Sequence, residues 1–192
     1  AATAELVKRY PDFKVDVFKT HRSVWLPKAN LDNTKLNAVS ARTSNEGLGI
    51  ENALPGVPFP IPQTGNEAMW NHLVRYNGVT ITSKYDSWNV DSTGTPILAT
   101  TGLGFVNSPT YEDMTKVMGP KDIFYRIKLY YTGPARRAGE AVLVQDAVNP
   151  VIQPRRAWQY LPGQRRVKLA PDLAYDTPNP GSAGASTYDD TF

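Results

Sequence analysis

The chain has 192 residues, of which 41% are hydrophobic and 20% are charged, a balance typical of one soluble globular domain. No apolar run approaches the roughly 20 residues needed to cross a bilayer. The sequence contains no cysteine, which excludes disulfides, thiolate metal sites and cysteine nucleophiles. Because the formal net charge is only +3, a strongly basic surface would require the cationic residues to cluster.

The first third of the chain predicts two helices separated by a strand. A helix is expected from Thr3 to Tyr10, where Pro11 ends it, and alternating apolar residues predict a strand from Phe13 to Phe18. Asp32 is suited to cap a second helix that continues to about Asn45. The residues expected on the inner face of that helix are Leu36, Val39 and Thr43.

A proline-rich segment and a capped helix follow. Residues 47–62 form a long connection, which predicts a lid or a wrapping segment, with Phe59 and Ile61 on one side of it. Thr64 and Glu67 have the spacing of a capping box, which predicts that a helix begins there and ends near Asn77. The residues that recur on one face of this helix are Met69, His72, Leu73 and Tyr76.

From Val79 onward the sequence is mostly strand-like. The predicted strands are Val79–Val90, Thr95–Phe105, Ile123–Tyr131, Glu140–Val148, Trp158–Leu161 and Arg165–Leu169, the last two joined by a type II turn at Pro162-Gly163. One helix is predicted between Ser108 and Gly119, with Met114, Val117 and Met118 on a shared face. Consecutive strands with short turns predict a mainly β (α+β) domain built on an antiparallel sheet, with a few helices on one side.

Sequence motifs give little support for catalysis. The two histidines, His21 and His72, lack a set of carboxylate partners for a metal, and a structural role is favoured for His72. Nucleophile-elbow, phosphate-loop and dinucleotide fingerprints are missing from the sequence. We therefore expect a protein that is not an enzyme and that uses neither a metal nor a cofactor.

Arginines are concentrated late in the chain, beside aromatic residues. A solvated or structural face is the favoured interpretation, in which Arg165 meets a buried carboxylate or carbonyl. An anionic lipid headgroup or a partner protein is the next, and nucleic acid is the least favoured. The arginines expected to contact a headgroup or partner are Arg155, Arg156, Arg165 and Arg166.

The excess of large apolar residues on the predicted strands suggests an apolar cavity beneath movable helices, although the same residues could simply fill a core. Methionine and leucine on the helices would provide adaptable contacts to such a cavity. The candidate lining residues are Tyr125, Ile127, Leu129, Leu143, Trp158 and Tyr160 from strands, with Met69, Leu73, Met114 and Met118 from helices.

Two blocks of the sequence resemble a family of exported Gram-negative proteins, a domain of unknown function related to the LolA/LolB lipoprotein-sorting fold. The first block combines 58–62 with Gly65, Glu67, 70–72 and 75–76, and the second runs from Ala157 to Val167. Further matches are Ala170-Pro171, Tyr175-Asp176 and Asp189-Asp190. The resemblance implies a single LolA/LolB-like domain over residues 1–192, an open half-barrel with helices over its concave face.

The resemblance also implies a function and a location. We expect a periplasmic or outer-membrane-associated carrier for a lipid or other hydrophobic ligand, its signal peptide removed, working with a membrane exporter or outer-membrane protein. The alternative is a structural or interaction module with a filled core. Relatives continue past the matching Asp189-Asp190, so the chain is expected to be a fragment whose residues 176–192 form a flexible connection. A bare sheet edge would then allow self-association.

Overall fold

The computed structural model describes residues 25–170 continuously, together with 5, 8–12, 14, 16, 18, 19, 176–179, 182 and 184–187. Four of the eight residues of the helix predicted from Thr3 to Tyr10, and three of the six residues of the strand predicted from Phe13 to Phe18, lie outside the described residues. In chain order the elements are α1 Lys28–Ser40, β1 Arg42–Ser44, β2 Gly49–Glu51, α2 Gly65–Leu73, β3 Thr80–Val90, β4 Pro96–Asn107, β5 Ile123–Gly133, β6 Ala141–Ala147, β7 Arg156–Leu161 and β8 Arg166–Leu169. Short 3-10 turns occupy Asn45–Gly47 and Pro109–Tyr111.

Strands β3 to β8 form one antiparallel sheet in which sequence order equals spatial order, as the run of strands and short turns predicts. The sheet is open, because β3 and β8 each pair with a single neighbouring strand among the described residues. The hairpin between β3 and β4 turns at Asp91, whose side chain accepts hydrogen bonds from the amides of Thr93 and Thr95. Asn89 on the outer strand β3 also donates to the carbonyl of Ser182, which brings part of the carboxyl-terminal segment to this edge.

The hairpin between β7 and β8 forms, but its turn differs from the predicted type II turn. Leu161 pairs with Arg166, so four residues make the loop. The residue with a left-handed backbone is Arg165, at φ 49°, and Gly163 does not adopt a positive φ. Two overlapping turns, Gln164 N–H to Leu161 C=O and Arg165 N–H to Pro162 C=O, explain the longer loop. Arg165 is consequently exposed rather than set against a buried carboxylate.

Helix α1 begins and ends earlier than predicted and presents a different face to the protein. Leu36 and Val39, expected inward, are 57% and 76% exposed, whereas three asparagines are buried. Asn37 donates from Nδ2 to the carbonyls of Leu54 and Val57 and accepts from the Leu54 amide, and Asn33 donates to the Pro55 carbonyl. The prediction failed because amide hydrogen bonds, and not apolar burial, hold this helix in place.

The proline-rich segment is part of the core rather than a lid. Its residues Ala53, Pro55 and Pro58 are buried, and α1 binds its backbone. Phe59 is buried at 8% exposure, but Ile61 is 80% exposed, so the two side chains do not share one environment as predicted. Asn71 on α2 both accepts from the Phe59 amide and donates to its carbonyl, which fixes Phe59 alone toward the core.

The helix predicted between Ser108 and Gly119 does not form beyond the 3-10 turn Pro109–Tyr111. The Asp113 carboxylate accepts from both the amide and the hydroxyl of Thr115, a local arrangement that competes with helical hydrogen bonds. The Tyr111 hydroxyl meanwhile donates to the carbonyl of Val74, tying the turn to the end of α2. Met118 is buried but Val117 is 52% exposed, so they do not form a shared helical face.

Candidate functional site

Strand register divides the sheet into two faces, because residues directly opposite each other in an antiparallel pair point to the same side. We call one the cleft face and define it by the cross-strand row Ile81, Val106, Ile127, Val144 and Ala157. The other, the far face, is defined by the row Lys128, Leu143, Trp158 and Leu169.

A β-bulge near the start of β5 modifies this division. Ile123 pairs with Ala147 and Tyr125 with Asp146, so Phe124 is an extra residue without a partner of its own in the ladder. Simple alternation would place Phe124 on the far face beside Arg126. Instead Phe124 is buried against Trp70 of α2, with the rings edge to face and their centroids 5.6 Å apart. Phe124 and Tyr125 therefore both line the same space.

That space is a cleft of about 450 Å³ between α2 and the cleft face of the sheet. Its floor comes from β3 to β6, its roof from α2, and its rim from the β1–β2 turn and the loops after α2 and β6. The lining residues are Gly47, Leu48, Asn66, Met69, Trp70, His72, Leu73, Arg75, Asn77, Ile81, Val106, Ser108, Phe124, Tyr125, Asp146, Ala147, Pro150 and Arg155.

The roof helix is positioned by its own sequence. The predicted capping box is confirmed, since the Glu67 amide donates to Thr64 Oγ1 at 3.2 Å and the Glu67 carboxylate accepts from the Thr64 amide. Trp70, 5% exposed, donates from Nε1 to the Gly47 carbonyl at 3.0 Å. Gly47 has φ +91°, and a Cβ there would lie 2.2 Å from Nδ2 of Asn66, so the close approach of turn and helix requires glycine.

One wall of the cleft carries a buried ion pair. Arg155 binds Asp146 with both of its contacts at 2.7 Å, Nε to Oδ1 and Nη2 to Oδ2, and the two side chains are 9% and 12% exposed. Tyr125 lies opposite Asp146 in the ladder. Burial, followed by the Asp146 carboxylate, raises the pKa of Tyr125, while Arg155 and Arg75 oppose that shift.

A second cationic group lies on the rim just after α2. Arg75 donates from Nη1 to the His72 carbonyl at 2.7 Å and lies 3.0 Å from His72 Nε2. His72 is exposed and lines the cleft beside Arg75, rather than being enclosed on an apolar helix face as its spacing suggested.

The structure brings together only part of the predicted cavity set. Tyr125, Met69 and Leu73 line the cleft. Ile127 and Leu129 lie on the same face but pack against a buried cluster of Tyr131, Val142, Val144 and Ala157.

The remaining predicted lining residues lie elsewhere. Three of them, Leu143, Trp158 and Tyr160, point to the far face. Each is the immediate neighbour in its strand of a residue on the cleft face, and successive side chains of a strand point to opposite faces. Met118 is buried in the core, and the Met114 carbonyl accepts from Asn33, so neither lines the cleft. The structure therefore does not bring all ten predicted residues together around this cleft.

The four predicted headgroup arginines do not form one patch. Arg155 is held by Asp146 at the cleft, whereas Arg156 pairs in the ladder with Gln145 and belongs to the far face. Arg165 lies in the β7–β8 loop and Arg166 begins β8. This distribution does not resemble the continuous basic groove typical of a nucleic-acid surface.

Sequence reasoning missed Ile81, Val106, Phe124 and Asp146 as lining residues, together with the roles of Trp70 and Arg75. Phe124 required knowledge of the bulge, and Asp146 required the register of β5 with β6. Trp70 could have been found, because it is a large aromatic residue beside Met69 in the helix that the capping box predicts. Across the described residues, no group of three or more His, Asp or Glu side chains is placed to hold a metal ion.

Comparisons with known proteins identify relatives but no activity. The model of the family described as "Protein of unknown function (DUF1329)" matches residues 1–192. The uncharacterized protein PA3922 of Pseudomonas aeruginosa is 37% identical over 185 residues, which cover 96% of this chain and 40% of that protein. No solved structure matches the chain. Within the described ranges, no helix has the length and apolarity needed to cross a membrane.

Proposed function

Since the chain belongs to the DUF1329 family of proteins of unknown function, its role must be sought in its own geometry, and we propose that it is a non-enzymatic carrier for a lipid or another hydrophobic molecule. The observation that supports this proposal is the cleft beneath α2. Its volume of about 450 Å³ falls within the range of roughly 300–1,000 Å³ typical of small-molecule sites.

The walls of the cleft have the chemistry of a hydrophobic site. Met69 is 52% exposed and Ile81 is 39% exposed, although both face the cleft between helix and sheet. A ligand that covered these side chains would gain about 25 cal/mol per Å² of apolar area removed from water. Methionine can adapt its side chain to ligands of different shape, as a carrier requires.

We further propose the finer fold and the location that the LolA/LolB resemblance implies. In this proposal the open six-stranded sheet is a half-barrel with α2 over its concave side. The protein would act in the periplasm or at the periplasmic face of the outer membrane, with a membrane exporter or outer-membrane protein as its partner. The open sheet, its bulges and the helix over one face are compatible with such an arrangement.

An interaction module is the second candidate, and the edge strand β3 favours it. The strand is 11 residues long and, within the part of the chain that the structure describes, pairs in the ladder with β4 alone, while the Asn89 side chain also donates to the Ser182 carbonyl. Two of its apolar residues, Trp88 and Val90, are 56% and 68% exposed. A strand edge without a ladder partner can pair with another chain, including a second copy of this one.

Analysis of the molecules that copurify with the protein tests the carrier function. The protein would be purified without detergent and extracted with organic solvent, and the extract would be analysed by mass spectrometry beside an unrelated protein from the same host. We expect a hydrophobic species present in proportion to the protein, and saturable binding of a neutral solvatochromic dye after extraction. If the protein carried no copurified hydrophobic species and did not bind the dye, the interaction module would be favoured instead.

A further inference from the structure

Charge is unevenly matched within the cleft. Its lining contains two arginines, Arg75 and Arg155, and one carboxylate, Asp146, so these three groups leave a net charge of +1. The Asp146 carboxylate engages Arg155 with both oxygens in a nearly buried, bidentate pair. That pair is electrically neutral, and each oxygen of its carboxylate already accepts a hydrogen bond from Arg155. The excess positive charge among these three groups therefore belongs to Arg75.

Arg75 has no carboxylate partner among the residues that the structure describes. Its Nη1 group is occupied by His72, which holds the guanidinium at the end of α2 where it lines the cleft. The carboxyl end of a helix carries partial negative charge, which stabilises a cation there without neutralising it. A guanidinium fixed at the mouth of an apolar cleft can bind an anion with a charge-assisted hydrogen bond.

Tyr125 lines the cleft as a neutral aromatic residue near these charged groups. Arg75 lies close enough to influence the Tyr125 hydroxyl electrostatically, and Tyr125 lies beside the Asp146–Arg155 pair. The apolar lining residues Met69, Leu73, Ile81 and Val106 come from the roof and floor. The cleft thus combines a cationic group at its rim with a largely apolar roof and floor.

We propose that the ligand of this cleft is an amphiphile with a single anionic headgroup, such as a long-chain carboxylate, whose headgroup binds Arg75 and whose chain lies between α2 and the sheet. This inference rests on the proposed carrier function and specifies its substrate class. It also assigns headgroup recognition to Arg75 and not to the arginine-rich segment after residue 134.

Paired ligands that differ only in the headgroup test the proposal. Dodecanoate and dodecan-1-ol would compete with a neutral solvatochromic dye for the extracted protein at mildly alkaline pH, where the acid is ionised. The variants are Arg75→Gln, Arg75→Lys and, as a matched control, Arg165→Gln, which removes an exposed arginine from the β7–β8 loop. Thermal unfolding of each variant establishes that it is folded.

We expect the wild-type protein to prefer dodecanoate by roughly tenfold or more, the effect of one hydrogen bond to a charged group. Arg75→Gln should remove that preference by weakening dodecanoate binding alone, Arg75→Lys should retain part of it, and Arg165→Gln should match the wild type.

Equal binding of both ligands by the wild type would overturn the anionic ligand while leaving the carrier function intact. A preference for dodecanoate that survives in Arg75→Gln would overturn the assignment of the headgroup contact to Arg75. If Arg75→Gln weakened both ligands equally, Arg75 would act by holding α2, and the proposed headgroup contact would be wrong. If the protein bound none of the three molecules, dodecanoate, dodecan-1-ol or the dye, the carrier function itself would be refuted.

Discussion

Tyr125 and Tyr131, near the two ends of β5, point to the same face of the sheet, but their surroundings differ. Toward its carboxyl end, Tyr131 is fully buried and packs with Val142, Val144 and Ala157, which are 2–3% exposed. Toward its amino end, Tyr125 borders a cleft of about 450 Å³. One strand thus contributes both to a filled core and to an open site.

The difference teaches that apolar residues on a strand do not by themselves distinguish a core from a cavity. At the open end, α2 stays above the sheet because Trp70 inserts on one side, against Phe124, and Asn71 binds the backbone of Phe59. Met69 and Leu73 are left facing the gap. Anchoring a helix at one side holds the other side open, so stability and binding should depend on different residues.

The largest effect is expected from Trp70→Ala. This change removes a buried aromatic ring and the hydrogen bond to Gly47, and should lower the free energy of unfolding by about 3–5 kcal/mol. Equilibrium denaturation in urea measures the loss. A loss below about 1 kcal/mol would show that Trp70 does not anchor the roof of the cleft, and the comparison between the two ends would lose its basis.

Alkaline pH should weaken the attachment between the end of α2 and the 3-10 turn. Burial raises the pKa of Tyr111 from 10.0 to about 12, so the folded state keeps a proton that the unfolded state releases. The corresponding stability is complete below pH 10 and is lost as the pH rises toward 12, by up to about 2 kcal/mol. Urea unfolding at several alkaline pH values checks the slope.

Tyr111→Phe is the control for this titration. The variant should be less stable than the wild type at neutral pH, because the Val74 carbonyl loses its donor, but its stability should fall less steeply above pH 10. The raised pKa of Tyr125 leaves part of the slope in place. Identical slopes for the two proteins would contradict the assignment to Tyr111.

The smallest effect on stability is expected from Met69→Ala at the open end. Met69 is 52% exposed, so its truncation should change the free energy of unfolding by less than about 0.5 kcal/mol while weakening dye binding. Val144→Ala, at a site 2% exposed in the filled cluster, should cost about 2 kcal/mol without weakening dye binding. Reversal of this pattern would mean that the two ends had been assigned the wrong way round.

Local sequence signals predicted the local parts of this structure well. Thr64 and Glu67 specify the start of α2 because both partners of the capping box lie within one turn. The hairpin at Asp91 is specified similarly, since one carboxylate satisfies two amides of the turn. The antiparallel order of the strands followed from such short turns and needed no knowledge of the packing.

Interactions between distant segments could not be predicted in the same way. Strand β6 is apolar on both faces, with Leu143 opposite to Val142 and Val144, so only its register with β5 shows which side meets the cleft. The bulge at Phe124 depends on the same pairing. The buried face of α1 was missed because asparagines such as Asn37 are satisfied by carbonyls 17 and 20 residues away in the sequence.

Filling the cleft tests the central claim most directly. Leu73→Trp introduces a large ring at a half-buried position that lines the cleft, whereas Val167→Trp introduces the same ring on the far face, where Val167 is 65% exposed and pairs with Tyr160. Fluorescence titration with a neutral hydrophobic dye is compared for the two variants and the wild type, with thermal unfolding as a check on folding. We predict that Leu73→Trp weakens dye binding roughly tenfold or more through lost space and overpacking, while Val167→Trp binds as the wild type does. Undiminished binding to a folded Leu73→Trp variant would contradict the claim that this cleft is the ligand site.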